Sequence, residues 1–202
     1  MNKLVRGCFV LALILMFTTP GFCRELTTYM SINAGVTLPE DADLTDSSMP
    51  GDVTTLEYDP GYFIGLALGN HMDNMRLEAE IGYQKNKVDS AKSNVGAVTV
   101  TGDPEIRLST LMFNFYYDFM KDSRFTPYLT AGLGLGNMKL DGFSDSDAVA
   151  AYQFGAGMAF RITEKIALDL KGRYLGTTDA KFGTTSLDFT TINAIFDVRF
   201  YF

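Results

Sequence analysis

Residues 75–84 read Met-Arg-Leu-Glu-Ala-Glu-Ile-Gly-Tyr-Gln, and this stretch decides the fold. Apolar residues alternate with charged or small ones, which is the period-two pattern of a β-strand with two different faces. One face carries Leu77 and Ile81, and the opposite face carries Arg76 and Glu78. A strand of this composition separates an apolar environment from a polar one.

The same alternation recurs in seven further segments, which are residues 29–38, 62–69, 110–119, 127–136, 152–161, 166–174 and 192–202. In nearly every segment one face is aliphatic or aromatic, and the other face mixes glycine with polar or charged side chains. The chain is therefore predicted to be all-β, with eight strands.

The connections between these segments alternate in length. Short ones at 70–74, 120–124 and 162–165 take turns with long polar ones at 39–57, 86–105, 138–149 and 176–188. In an up-and-down barrel every second connection lies at the same end, and outer-membrane barrels have short periplasmic turns and longer extracellular loops. We therefore predict a closed, eight-stranded, antiparallel, up-and-down transmembrane β-barrel over residues 24–202.

The first 23 residues have the layout of a secretory signal peptide. Lys3 and Arg6 precede an unbroken apolar run of ten residues from Cys8 to Phe17, which is too short to span a bilayer. We expect cleavage near Cys23 and export through the inner membrane.

Composition excludes several classes of function. The chain has 202 residues, a net charge of -7 and a pI near 4.7, which argue against a nucleic-acid binder. It has one histidine and two cysteines, so no metal site or cofactor is implied. Catalysis by histidine would depend on His71, which falls in a predicted short turn. Glu78 and Glu80 share a face with several cations and are interpreted as structural, so we do not expect an enzyme.

Three stretches resemble the OmpA/opacity-type family of eight-stranded outer-membrane barrels: PYLTAGLGLG at 127–136, QFGAGMAFRIT at 153–163 and AIFDVRFYF at 194–202. The resemblance implies a location in the outer membrane of a Gram-negative cell. It also implies that the final strand, with Phe200 and Phe202, is the signal read by the barrel-assembly machinery, with periplasmic chaperones acting during biogenesis. The family shares a scaffold and not a reaction.

Alternation places ten charged side chains in the lumen, and they are Arg76, Glu78, Glu80, Asp118, Arg161, Asp169, Lys171, Arg173, Asp197 and Arg199. Isolated buried ions are costly, so five charges of each sign predict a network of ion pairs that fills a polar lumen. Asp197 on the last strand is expected to pair with Lys171 or Arg173 on the strand before it.

The function expected from these features is a structural or interaction role, in adhesion or envelope integrity, carried by acidic extracellular loops. Residues 39–57 hold six acidic residues and no Lys or Arg, and residues 86–105 are expected to project as a hairpin. The expected partners are outer-membrane lipid, lipopolysaccharide and an extracellular protein or surface. Two alternatives stay open: a narrow, low-conductance, porin-like channel, and a secreted soluble barrel that binds a small apolar ligand.

Overall fold

The structure is a computed structural model that describes residues 27–40, 42–46, 53–93, 97–98, 105–120, 123–140, 146–178, 180–182, 185–187 and 189–202. The predicted signal peptide, residues 1–23, lies outside the described residues. The described residues contain no helical segment with the length and hydropathy of a membrane span.

The described chain consists of β-strands joined by turns and loops. The strands are β1 (Thr27–Pro39), β2 (Ala42–Asp46), β3 (Val53–Tyr58), β4 (Gly61–Met72), β5 (Met75–Ser93), β6 (Ala97–Val98), β7 (Glu105–Asp118), β8 (Phe125–Leu140), β9 (Ser146–Arg161), β10 (Ile166–Thr177), β11 (Ala180–Phe182), β12 (Thr185–Leu187) and β13 (Thr190–Tyr201). Eight long strands, β1, β4, β5, β7, β8, β9, β10 and β13, correspond to the eight predicted segments.

These eight strands close into a barrel. Each pairs antiparallel with the next long strand along the chain, and the first pairs with the last. In this closing pair Ile32 of β1 lies opposite Val198 of β13. The predicted closed, antiparallel, up-and-down eight-stranded barrel is confirmed.

The short turns gather at one end of the barrel. The tightest joins β4 to β5 through residues 73 and 74, and Asp73 has a positive φ of 51°. Aspartate tolerates this left-handed conformation better than most residues, and two-residue hairpins require it. The turn is shorter than the predicted 70–74, because Asn70 and His71 still pair within the sheet.

The strands extend further at the opposite end than the alternation predicted. β5 continues to Ser93, β8 to Leu140, and β9 already begins at Ser146. Beyond the barrel, the short strands continue from β5 in the order β3, β2, β12, β11. Of the hairpin expected within residues 86–105, the structure describes the extension of β5 to Ser93, which pairs with β6 and with β3. Residues 94–96 and 99–104 lie outside the described residues.

The two faces of the strands differ as the alternation predicts. Outward side chains such as Leu133 (70% exposed) and Phe154 (57%) are apolar, whereas inward ones such as Asn33 (1%) and Asp169 (2%) are polar and buried. Paired aromatic rings lie at both ends of the apolar band, Phe125 with Phe160 at the short-turn end. This distribution fits hydrocarbon outside the barrel and aromatic girdles at its two interfaces.

Replacing Leu133 with arginine tests the assignment of the outer face. A cation that faces hydrocarbon within the apolar band is expected to lower the free energy of unfolding in lipid by about 2 kcal/mol or more. Urea titration of the protein in phospholipid vesicles measures the effect. Leu133→Ala is the control for the lost side chain, and an arginine variant as stable as this control would contradict the outward orientation.

Candidate functional site

The lumen near the short-turn end contains a network of charged pairs. The Arg76 guanidinium lies 2.8 Å (Nη2) from Asp118 Oδ1, and Arg199 Nε lies 2.6 Å from Asp169 Oδ2. A longer contact of 3.9 Å from Arg76 Nη1 to Asp169 Oδ1 joins the two pairs. All four side chains are at most 5% exposed. The network therefore links four different strands, β5, β7, β10 and β13, through the interior.

Aromatic rings fill the space around the Arg76 guanidinium. Its Cζ atom lies 4.3 Å from the centroid of Tyr116 and 4.6 Å from that of Tyr128. Desolvated cation–π contacts of this kind add to the stability of a buried cation. Gly157 leaves room for one of these rings, because a Cβ atom there would lie 2.6 Å from the ring atoms of Tyr128. The inward glycines therefore make space for large lumen side chains.

A second group of ion pairs lies further up the lumen. Lys171 Nζ is 3.0 Å from Asp197 Oδ2 and 3.7 Å from Glu80 Oε2, and Arg173 Nη1 is 2.8 Å from Glu80 Oε1. Asn33 also donates to Glu80 through Nδ2 at 3.1 Å. The expected pair between Asp197 and strand β10 is confirmed, and its partner is Lys171. Arg173 instead reaches across the barrel to β5.

Glu78 connects the two groups of charges through neutral donors. Its carboxylate accepts hydrogen bonds from the Tyr116 hydroxyl (2.8 Å), the Tyr29 hydroxyl (3.0 Å) and Asn114 Nδ2 (3.3 Å). Glu78 and Glu80 are thus each held by several donors in a packed interior. Glu78 is 4% exposed and Glu80 is fully buried, so the arrangement fits a structural role.

The outer part of the lumen contains a buried apolar cluster beside polar side chains such as Gln84 and Asn86, which lie opposite Leu108 and Ile106. Its buried cluster comprises Ile106, Leu108, Met112, Met138, Leu140, Val149, Ala151, Leu175, Ala180 and Phe189, with Tyr58 packed against it. The sequence pattern missed this cluster because Ile106 and Leu108 precede the predicted strand at 110–119 and because Met138, Leu140 and Val149 fall in a predicted loop. These residues instead belong to the extended ends of β8 and β9.

The mouth of the barrel at the short-turn end differs from expectation at two residues. Arg161 is exposed at the rim, so nine of the ten predicted lumen charges are buried. His71, expected in a turn, lies on the inward face of β4 with Nε2 3.4 Å from Asp118 Oδ2. Both line a cleft of about 10 Å³, which has room for about one water molecule.

The predicted assembly residues lie on the outer face of the last strand. Phe202 is 74% exposed, and its backbone N–H donates to the Thr28 carbonyl oxygen at 3.1 Å. Phe200 has the same orientation, opposite Met30 of β1. Their recognition by the assembly machinery stays a prediction.

The chemistry of the lumen is that of a packed structural interior. Within the part of the chain that the structure describes, no group of three or more His, Cys, Asp or Glu side chains is arranged to hold a metal ion. The charged groups are paired with one another or hydrogen-bonded to hydroxyl and amide groups. This arrangement can fix the register of the strands and obstruct passage through the barrel.

A closed barrel with an apolar outer face and a charged interior belongs to the class of integral outer-membrane proteins. The chain is a member of the outer membrane protein beta-barrel domain family, whose model matches residues 9–200. It is located in the outer membrane of a Gram-negative cell, which excludes the secreted soluble barrel.

One curated relative is outer membrane protein PagN of Salmonella typhimurium (strain LT2). The two are 33% identical over 93 residues, which cover 37% of this chain and 39% of PagN. The chain thus spans well under half the length of this relative.

Two solved structures have a similar fold. Neisserial surface protein A superposes with a TM-score of 0.58 at 18% identity, over 87% of this chain and 97% of that chain. OprG from Pseudomonas aeruginosa gives a TM-score of 0.57 at 17% identity, over 88% and 97%. At these identities the likeness shows the fold alone.

Asp197→Ala tests how much the second group of ion pairs contributes to the free energy of unfolding. Removing one partner of a buried pair leaves an uncompensated charge and costs about 3–5 kcal/mol of stability. We expect a loss near the lower value for Asp197→Ala, because Lys171 Nζ still lies 3.7 Å from the carboxylate of Glu80. The double variant Asp197→Ala/Lys171→Met should recover a large part of the loss in a urea titration. A double variant no more stable than Asp197→Ala would show that the pair is not coupled.

Proposed function

We propose that the protein is a non-conducting, non-enzymatic outer-membrane barrel that acts through its extracellular loops, in adhesion or envelope integrity. The observation that carries this proposal is the packing of the lumen. Ion pairs and aromatic rings occupy the half near the short turns. An apolar cluster, together with hydrogen-bonded side chains such as Gln84 and Asn86, occupies the outer half. The interior of an eight-stranded barrel is just wide enough to be filled in this way.

The two layers oppose ion passage for different reasons. In the charged layer an ion would have to displace paired groups such as Lys171 and Asp197, which leaves buried charges uncompensated. In the outer layer it would lose its hydration against the apolar cluster, and the amides of Gln84 and Asn86 there are already hydrogen-bonded to each other and to Thr37. Breaking either layer alone leaves the other in place, so the arrangement favours a closed barrel over a channel.

The outer end supplies an ordered base for loop-mediated contacts. Residues of three extracellular connections form the strands β2, β3, β6, β11 and β12, which continue the sheet beyond the barrel. The first connection, residues 39–57, carries only acidic charges. Electrostatic complementarity mainly sets specificity and association rate, so an acidic surface favours a basic partner surface.

Conductance across a planar bilayer tests the closed lumen. The native protein is expected to give negligible current. Lys171→Ala/Asp197→Ala should change this little, because the apolar cluster remains above it. Adding Leu108→Ser and Met138→Ser should produce measurable openings, because the apolar layer is then also broken. Steady, ion-selective current through the native protein would overturn the closed lumen and support the channel alternative.

Replacing residues 41–56 with a short Gly-Ser linker tests the role of the loops. Strains that display this variant at native surface levels are expected to show the adhesion or envelope phenotype of a deletion strain. The matched control is Asp197→Ala/Lys171→Met, which alters the lumen and keeps the loops, and it should behave like the native strain. If the linker variant behaves like the native strain and the lumen variant behaves like the deletion strain, the function lies in the barrel interior and not in the loops.

A further inference from the structure

The short-turn end of the barrel carries an open pocket between two neighbouring turns. It has a volume of about 250 Å³ and is lined by Ser123, Arg124, Arg161, Ile162, Thr163 and Glu164. Arg161 also lines the small cleft at the mouth of the lumen. We call this space the rim pocket. The short turns of outer-membrane barrels lie on the periplasmic side, so the rim pocket faces the periplasm.

Two arginines from neighbouring strand ends form one wall of the rim pocket. The backbone N–H of Arg161 donates to the carbonyl oxygen of Arg124 at 3.0 Å, which continues the register of β8 and β9 and places the two residues directly opposite each other. Both belong to the inward-facing set of their strands, because Thr126 and Ala159, two residues away, are buried. The two exposed guanidinium groups therefore lie on the lumen side of the rim and not on the lipid side.

These two cations differ from the cations inside the lumen. The buried guanidinium groups of Arg76, Arg173 and Arg199 each contact a carboxylate. Within the part of the chain that the structure describes, neither Arg124 nor Arg161 forms an ion pair. Like charges directly opposite each other on neighbouring strands are destabilising. An anion with several acceptor oxygens, bound between the two arginines, would remove this repulsion.

Two hydroxyl groups add neutral donors to the rim pocket. Ser123 Oγ accepts a hydrogen bond from the backbone N–H of Phe125, and Thr163 Oγ1 accepts one from that of Lys165, both at 3.2 Å. Each hydroxyl thus uses its oxygen as an acceptor, and its hydrogen has no acceptor among the described residues. Both hydroxyls can therefore donate to a ligand, together with the two guanidinium groups. This set of donors suits an oxygen anion.

Glu164 narrows the kind of anion that the rim pocket can accept. Its carboxylate lines the same space and forms no ion pair with Arg124 or Arg161 among the described residues. A fixed negative charge disfavours a compact anion such as phosphate, because the two would repel each other. A ligand that carries a positive group beside its own carboxylates satisfies all three charges. An acidic peptide with a lysine or a free amino group has this chemistry.

We propose that the rim pocket binds an acidic peptide segment of a periplasmic protein. Arg124 and Arg161 each hold a carboxylate, because the planar guanidinium fork matches the two carboxylate oxygens. Ser123 and Thr163 donate to the same oxygens, and Glu164 takes the ammonium group. The lumen-side orientation of the arginines favours a peptide from the aqueous periplasm over a phospholipid headgroup. The site lies at the opposite end from the extracellular loops and does not depend on their proposed role.

The test uses the full barrel in a zwitterionic detergent and the immobilised peptide Gly-Asp-Glu-Lys-Asp-Gly as the probe, with surface plasmon resonance as the measurement. Arg124→Gln/Arg161→Gln is expected to bind the peptide about tenfold or more weakly, because hydrogen bonds to charged groups are lost. Arg124→Lys/Arg161→Lys keeps the charge but not the fork, so its affinity should fall between the two. Equal binding by the native protein and the glutamine variant would overturn the proposal.

The matched control is Lys85→Gln/Arg107→Gln, which removes the same number of positive charges from β5 and β7 at the opposite end of the barrel. It is expected to bind the peptide like the native protein, and an equal loss of binding would show a general electrostatic attraction instead of a site. Gel mobility before and after heating shows that each variant has a folded barrel. A neutral peptide with Asn and Gln in place of Asp and Glu should not bind, and equal binding would contradict carboxylate recognition.

Further probes separate a peptide from the other anions of the periplasm. Glu164→Gln should bind the lysine-free peptide Gly-Asp-Glu-Gly-Asp-Gly more tightly than the native protein does, and an unchanged affinity would contradict the assigned role of Glu164. Millimolar inorganic phosphate or phosphatidylglycerol vesicles should leave the peptide bound. Complete displacement by either would identify a phosphate or lipid site and overturn the proposal. Tighter binding of soluble peptidoglycan fragments, lost in the glutamine variant, would assign the rim pocket to the cell wall and overturn a protein partner.

Discussion

The structure depends on the closure of the sheet between β1 and β13. An unpaired strand edge inside hydrocarbon would leave a row of backbone N–H and C=O groups without partners, at a cost of several kcal/mol each. Eleven residue pairs, from Tyr29 with Tyr201 to Pro39 with Thr191, remove this edge. Since β1 and β13 form the closing pair, the barrel is complete only when these two strands are paired.

Closure creates an interior that the sequence must fill. A side chain at every second position enters a space that is too narrow for bulk water, so the charges there need partners from other strands. The pairs Arg76 with Asp118 and Arg173 with Glu80 link β5 to β7 and to β10 across this space. The network that obstructs the lumen is therefore also a network that fixes strand positions. The apolar cluster at the outer end completes the filling without charges.

Much of the architecture could be predicted from local pattern. The eight strands, their order and the alternation of short and long connections follow from a period of two and from turn lengths, which are properties of adjacent residues. The pair between Asp197 and Lys171 could also be predicted from the sequence, because these residues lie on consecutive strands. The pair between Glu80 and Arg173 was not, because β5 and β10 are neighbours only through the interior of the closed barrel.

The sequence by itself determined that the protein is an eight-stranded barrel with an apolar outside, because alternation specifies the face of each residue relative to its neighbours. Only the tertiary structure decided that an apolar cluster shares the outer part of the lumen with polar side chains, because β7 begins before its predicted start and β8 and β9 extend into predicted loops. It also decided that Lys85, Arg107 and Lys139, distant in sequence, form one row on the outer wall. The register between strands sets which residues become neighbours. This register cannot be derived from the pattern of adjacent residues in the sequence.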